Sequence, residues 1–327
     1  MRVEAGGPSD APSSGMHRSW RRSNAGEIAF RAVVTVFGVS VLVLAALMLY
    51  QLAFESRDSI RTFGWGFLTD TTWDPVNHVF GAAPAIYGTV VSSAIAVIVA
   101  VPISLGAAIY LSEMAPPWLR NPASFLVESL AAIPSVVFGL WGIYVLTPLV
   151  RSPVETFLGG KFGFLPLFTG PPFGVGMLAA GLVLAIMILP IITAIARDSM
   201  MAVPASQREA MLALGATKWE VISRAVLQYC RSGLVGAVLL GLGRALGETM
   251  AVTMVIGKTY DINTSLFAPA STAASQIASE FNEASYSLYT SALVELALIL
   301  LGITLVVNVA ARLLVWRIAR SPETVRE

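Results

Sequence analysis

Two side chains stand out for chemistry. Arg244 and Glu248 lie four residues apart inside an apolar stretch that runs from about 232 to 257. If that stretch is one helix, Arg244 sits some twelve residues from either end, about 18 Å at 1.5 Å per residue, too deep to reach an interface. A central Arg in a membrane helix costs about 2.5–3.5 kcal/mol even on a lenient insertion scale, so it must face a bundle interior or an aqueous path rather than lipid. Glu248, at i+4, shares its face. Two readings follow. In one, the pair merely neutralises itself, although Arg before Glu is the less favourable order at this spacing and an apolar pair is a simpler way to pack. In the other, the forked guanidinium offers a transient oxyanion site and Glu248 weakens it enough for release, as conduction requires.

Two further acids lie in apolar stretches. Glu128 falls near one end of the third, where it either snorkels to the interface or contributes to a path; Glu295, in the last, is expected to be held by a buried hydrogen bond or to line the same path. Other chemistry is poorly supplied. One cysteine, Cys230, and two distant histidines, His17 and His78, offer no metal or redox cluster. No His-based constellation suits an intramembrane enzyme. With no Gly-Lys-Ser or Gly-Lys-Thr loop, the chain is not expected to bind ATP.

The elements that position these residues follow from composition. Of 327 residues, 56% are hydrophobic and 13% charged, about half the charged share of a soluble domain, which excludes a soluble enzyme. No Asp, Glu, Lys or Arg occurs between Asp74 and Glu113 or between Lys161 and Arg197, runs longer than the ~20 residues that cross a bilayer. The expectation is an all-α, polytopic membrane protein with six transmembrane helices, at 28–54, 84–112, 125–150, 174–197, 232–257 and 288–314, their outer faces against membrane lipid. Residues 1–27, rich in Gly, Ser, Pro and Arg, read as a flexible tail, and 318–327 as a second one. No internal repeat is evident. A net charge of +1 leaves no footprint for nucleic acid.

Lys and Arg set the orientation. One side carries Arg2, Arg18, Arg21, Arg22, Arg31, Arg120, Arg197, Arg208, Lys218, Arg224, Arg231, Arg312, Arg317, Arg320 and Arg326; the other carries Arg57, Arg61, Arg151, Lys161 and Lys258. Fifteen against five predicts both termini cytoplasmic. Outer residues 55–83, with Phe63-Gly64-Trp65-Gly66-Phe67 and Trp73-Asp74-Pro75, and 152–173, with Phe162, Phe164, Phe168 and Phe173, read as an aromatic belt at the interface or as a docking surface. Gly233, Gly236, Gly241, Gly243 and Gly247 allow close helix approach. Pro102, Pro134 and Pro190 are expected to kink their spans.

The inner connection 198–231 is the longest and most polar. Pro204 and Ser206-Gln207-Arg208-Glu209 mark a helix start, and Gly215 suits a left-handed stop. Glu209-Ala210, with Gly215 six residues after the Glu, resembles the EAA motif of permease subunits in binding-protein-dependent ABC importers, although Met211, Ala225 and Gln228 depart from it. Gly241-Leu242-Gly243-Arg244-Ala245-Leu246-Gly247-Glu248-Thr249-Met250-Ala251-Val252 is similar to the signature of the phosphate importer permeases, the PstC and PstA families. Trp73-Asp74-Pro75, Ile109-Tyr110-Leu111-Ser112-Glu113 and the run Ile133–Gly142 resemble PstC in particular.

The resemblance implies a type I ABC importer permease fold, with 84–317 as permease core, in a bacterial inner membrane. It implies a coupling helix around Glu209, Ala210 and Gly215 that docks on the ATPase, and inorganic phosphate as substrate. The partners implied are a PstA-like permease, two PstB-like ATPases using ATP and Mg, and an extracytoplasmic PstS-like binding protein; this chain would hold no cofactor. Alternatives are the sister permease, a permease for sulfate or molybdate, and a self-sufficient secondary anion transporter or channel.

Overall fold

The structure, a computed structural model, describes residues 16–319. Of the tails expected at 1–27 and 318–327, residues 1–15 and 320–327 lie outside the described residues, while 16–27 and 318–319 are helical rather than tail. The chain divides into two units, residues 1–54 and 55–327. The first holds helix α1 (Met16–Glu55). It starts earlier than the expected Ile28, because the prolines of the tail, Pro8 and Pro12, lie before it, and Glu27 pairs with Arg31 one turn on at 2.7 Å.

The second unit begins with two short helices, α2 (Arg57–Phe63) and α3 (Gly66–Thr69), and a hairpin of β1 (Trp73–Asp74) and β2 (Val79–Phe80). Asp74 Oδ1 accepts from the backbone of Val76 and Asn77 at 2.9 and 3.1 Å and so shapes the hairpin turn. Then come α4 (Ala83–Met114), α5 (Pro117–Ala131), α6 (Ser135–Phe162) and α7 (Met177–Met201). The inner connection forms α8 (Ala205–Ala213). Helices α9 (Lys218–Tyr229) and α10 (Arg231–Leu246) form one apolar pair bent by 71°. The chain closes with α11 (Met250–Val255), α12 (Ala273–Glu280) and α13 (Ser287–Ala319).

Among the described residues five helices are long and apolar enough to cross a membrane, six if the bent α9–α10 pair is one span. The expected spans 28–54, 84–112, 174–197 and 288–314 coincide with α1, α4, α7 and α13. Two do not. The third, expected at 125–150, is cut at Pro134, which cannot donate to a helix interior; it stands just before α6, so α5 ends at Ala131 and the crossing continues to Phe162. Helix α6 keeps going through two widened, π-type turns at Gly142–Leu146 and Val150–Glu155. The fifth, expected at 232–257, starts earlier, bends at Cys230 and stops at Leu246. Pro102 and Pro190 do lie inside α4 and α7.

The main core is made where α4, α10 and α11 lie on α7, through Ala96, Ala100, Ala180, Ile188, Ile192 and Val252 among others. Small residues let these helices approach closely where there is no hydrophobic force to press them together. A second core caps the other end. Phe67, Trp73 and Phe80 pack on Tyr289 and Leu293 of α13, with Phe80 stacked on Tyr289 at 5.3 Å. The rings expected to form an interfacial belt in 55–83 are thus folded inward, leaving Trp65 exposed.

Glu280, only 4% exposed, holds this cap. Its Oε2 accepts from Trp73 Nε1 at 2.6 Å and from Tyr289 Oη at 2.8 Å, and its Oε1 accepts from Tyr260 Oη. Burial pushes its carboxyl above the ordinary 4.5, against the hydrogen bonds from Tyr289 and Trp73. A raised folded pKa means the cap is most stable below the unfolded value and loses that contribution as pH rises through the folded one. Amide exchange of the hairpin and α12, corrected for its intrinsic pH dependence, should therefore speed up as pH rises from about 4.5, and Glu280→Gln should flatten that dependence. Glu280→Leu should destabilise the cap more, since each buried donor left unpaired costs about 1–3 kcal/mol.

Candidate functional site

Helix α10 divides its surface between two tasks. Ala237, Gly241 and Ala245 are buried along one face, and a methyl group on Gly241 would meet the Ile192 side chain at 2.7 Å. Gly233 is as tight, with Ser199 Oγ 2.5 Å from the place a Cβ would take. The adjoining face is uncovered. A Cβ at Gly236 or Gly243 would meet nothing within 4 Å, and Leu240, Arg244 and Gly247 are exposed. Of the five glycines expected to serve close packing, Gly233 and Gly241 do so within this chain; Gly236, Gly243 and Gly247 border open space.

Arg244 stands in the last turn of α10, where its charge suits the negative end of the helix dipole. It has no ion-pair or hydrogen-bond partner among the described residues. Glu248 does not lie one turn above it on the same helix. Gly247, a poor helix former, closes α10, and Glu248 falls in the non-helical link before α11. There it is 9% exposed, and its Oε1 accepts from the Ala251 amide at 3.4 Å. The two residues remain neighbours in sequence, but no ion pair joins them.

Glu128 lies in α5, outside the helices long enough to cross, and it is not a lone acid. Arg197, 8% exposed at the end of α7, binds its Oε1 at 2.8 Å and Asp198 Oδ1 at 2.7 Å. Glu295 lies in α13 at 6% exposure; its Oε2 and the neighbouring Ser59 Oγ of α2 are both buried without a partner in hydrogen-bond geometry.

The inner connection matches its expected outline. Pro204 stands one position before α8, and Gly215, at φ +84°, ends it. The amides of Gly215 and Ala216 bond to the carbonyls of Leu212 and Met211 at 2.9 and 3.1 Å, the paired arrangement that left-handed helix stops use. Glu209, Ala210, Leu212 and Leu214 are exposed, Leu214 by 85%. The neighbour of Glu209 does the anchoring. Arg208 donates from Nε and Nη2 to both oxygens of Glu113, at 3.2 and 2.8 Å, and to the carbonyls of Met200 and Val203. Sequence reasoning passed over this pair. Its one signal was Glu113, the first charge after the long charge-free run of the second span.

Relatives bear on this geometry. Residues 100–320 match the model of the binding-protein-dependent transport system inner membrane component. The phosphate transport system permease protein PstC of Pasteurella multocida is 49% identical over 298 residues, 90% of this chain and 93% of that protein. The PstC of Mesorhizobium japonicum is 47% identical over 88% of this chain and 90% of that protein, and PstC 2 of Mycobacterium tuberculosis 40% over 89% and 92%.

The chain belongs to the family of binding-protein-dependent permeases that includes PstC.

Two solved structures share its fold. The permease chain of a bacterial alginate ABC transporter, in complex with its alginate-bound periplasmic protein, superimposes with a TM-score of 0.61 at 15% identity, covering 90% of this chain and 98% of that one. An inward-facing MetNI methionine ABC transporter does so with 0.55 at 17%, covering 76% and 100%. The fold is that of a type I ABC importer permease, multi-pass in an inner membrane. The two faces of α10 in this permease predict opposite responses to bulk. Gly241→Leu should destabilise the purified protein by about 1–3 kcal/mol through overpacking against Ile192. Gly243→Ala should leave thermal stability unchanged or raise it by about 0.5–1 kcal/mol, as a glycine leaving a helix does.

Proposed function

We propose that this permease is one of two membrane subunits of an ATP-driven phosphate importer, and that the uncovered face of α10 lines the phosphate path between them. The observation that carries the reading is Arg244: a guanidinium deep in an apolar sequence, exposed on a glycine-bare face, with no partner of its own among the described residues. Such a group needs water, an anion or a second subunit beside it. Its forked donors suit a tetrahedral oxyanion, and the bare glycines around it leave room for one. Glu248, beyond the helix end, supplies the opposing charge that keeps the site weak enough to release.

The remaining roles follow from the family. The exposed α8, with Glu209, Ala210 and Gly215, docks on a cytoplasmic ATPase of which two copies work, and ATP and Mg act there rather than on this chain, which is not itself an enzyme. The second membrane subunit is PstA-like, the ATPase PstB-like, and a PstS-like binding protein delivers phosphate from outside. Both termini are cytoplasmic, a reading supported by the fifteen-to-five division of basic residues.

Uptake of labelled phosphate by the reconstituted four-part complex tests this. Arg244→Gln should assemble normally yet take up phosphate at least about tenfold more slowly, the loss of charge-assisted hydrogen bonds worth about 1.5–3 kcal/mol. Glu248→Gln should also impair uptake. Wild-type rates in both variants remove the path from Arg244, and effective competition by sulfate or molybdate removes the substrate assignment.

A further inference from the structure

The inner end of the bundle contains a joint that the docking of α8 does not by itself explain. Almost every side chain of α8 points away from the body of the protein; Arg208 and Met211 are the half-buried exceptions. At both ends α8 is tied to its neighbours by pliant links, Ala202–Pro204 before it and Gly215–Thr217 after it. Were those links its only connections, a push on α8 would bend them and go no further.

Besides those links and the packing of α8 on the Val221–Val226 turn of α9, the guanidinium of Arg208 adds a directional, polar connection. It grips Glu113 with two donors, and its other bonds reach the Met200 carbonyl at the end of α7 and Val203 in the link. Glu113 stands in the widened last turn of α4, Tyr110–Met114, with its side chain 11% exposed, and Arg208 is 24% exposed. A two-pronged Arg–carboxylate pair fixes relative orientation as well as distance, which a lysine cannot do. Cys230, buried at the 71° bend between α9 and α10, belongs to the same apolar core as Met200 and Val203, whose carbonyls Arg208 holds. One polar joint therefore meets α4, α7 and α8, and it is seated on the core that packs the bend leading to α10.

We infer that the Arg208–Glu113 pair is the pin that carries displacement of α8 into α4 and the α9–α10 bend, a positioning role in transport that rests on α8 being the ATPase-docking helix. The pair touches neither phosphate nor nucleotide. Its loss should uncouple the machine rather than stop either half of it.

The test measures phosphate uptake and ATP hydrolysis in the same proteoliposomes, both per assembled complex. Arg208→Lys, Arg208→Met and Glu113→Gln should continue to hydrolyse ATP while uptake per ATP falls about fivefold or more, and the exchange Arg208→Glu with Glu113→Arg should recover part of it. Uptake per ATP at the wild-type value in these variants overturns the pin. So does a proportional fall of uptake and hydrolysis that the exchange does not relieve, which marks a purely structural pair. A second measurement needs no transport: spin labels on exposed Ser206 of α8 and Met114 of α4 should keep one separation through the ATP cycle, and spread in Arg208→Met. A separation that already varies in the unaltered chain sinks the inference. Wild-type complex that hydrolyses ATP without moving phosphate instead counts against the proposed substrate, and the label distances still decide the pin.

Discussion

Close approach to α7 is the constraint on which the bundle depends. In its most apolar window 67% of α7 is buried inside the chain, against 28% for α4, α6 and α13. Lipid offers no hydrophobic force between helices, so contact must come from small residues and a few hydrogen bonds. Alanines 96 and 100 of α4 meet alanines 180 and 196 of α7 in one core, and Ser104 Oγ of α4 donates to the Leu189 carbonyl of α7 at 3.1 Å. Helix α10 contributes Gly233, Ala237 and Gly241 to the same packing. Having turned that face to α7, it leaves the next one bare.

The few charges are distributed by the same arrangement. The end of α7 gathers them: Arg197 and Asp198 belong to it and draw in Glu128 of α5, while the Met200 carbonyl helps seat Arg208 of α8. Arg197 and Arg208 are largely removed from water and each has a partner, since an unpaired buried charge is costly. Arg244 breaks the pattern. It carries the same charge, lies in as apolar a sequence, and is left on an open face. Arg197 is paired within this chain, and Arg244 has no partner among the described residues.

Much of this was legible in the residues. Four spans, α8 and its glycine stop could be read because hydropathy, charge-free length and a left-handed cap are local properties. The third and fifth spans were misplaced because a hydropathy window cannot see a break inside apolar sequence: Ile133 and Pro134 are as apolar as their neighbours, and Gly247 ends α10 without changing composition. The consequence reached the site itself, since placing Glu248 one turn above Arg244 assumed an unbroken helix. Long-range polar partners were illegible for a different reason. Glu128 with Arg197, Arg208 with Glu113, and Glu280 with Trp73, Tyr260 and Tyr289 are brought together by packing alone, and no spacing in the chain announces them. The aromatic residues near Trp73 were misread for the same cause, as a ring at an interface and a ring in a folded cap have the same sequence.

The two ends of the bundle are closed by different chemistry, and this bears on what can move. At one end, the buried carboxyl of Glu280 is held by neutral donors from three separate segments, so the start of α13 and the loop at Tyr260 are fixed to the hairpin and α12. At the other end, the contacts are ion pairs about the end of α7, Arg197 with Glu128 and Asp198, and Arg208 with Glu113. Between them α10 is a rod with a break at each end, the 71° bend below and Gly247–Thr249 above. Arg244 lies fourteen residues from Cys230, about 21 Å at helical rise. A tilt of about 5° about that bend shifts Arg244 by about 2 Å on the same geometry, enough to make or break a hydrogen bond to an anion. Any rotation of α10 about that bend would grow along its length and move Arg244 further than the packed residues Gly233, Ala237 and Gly241 that precede it.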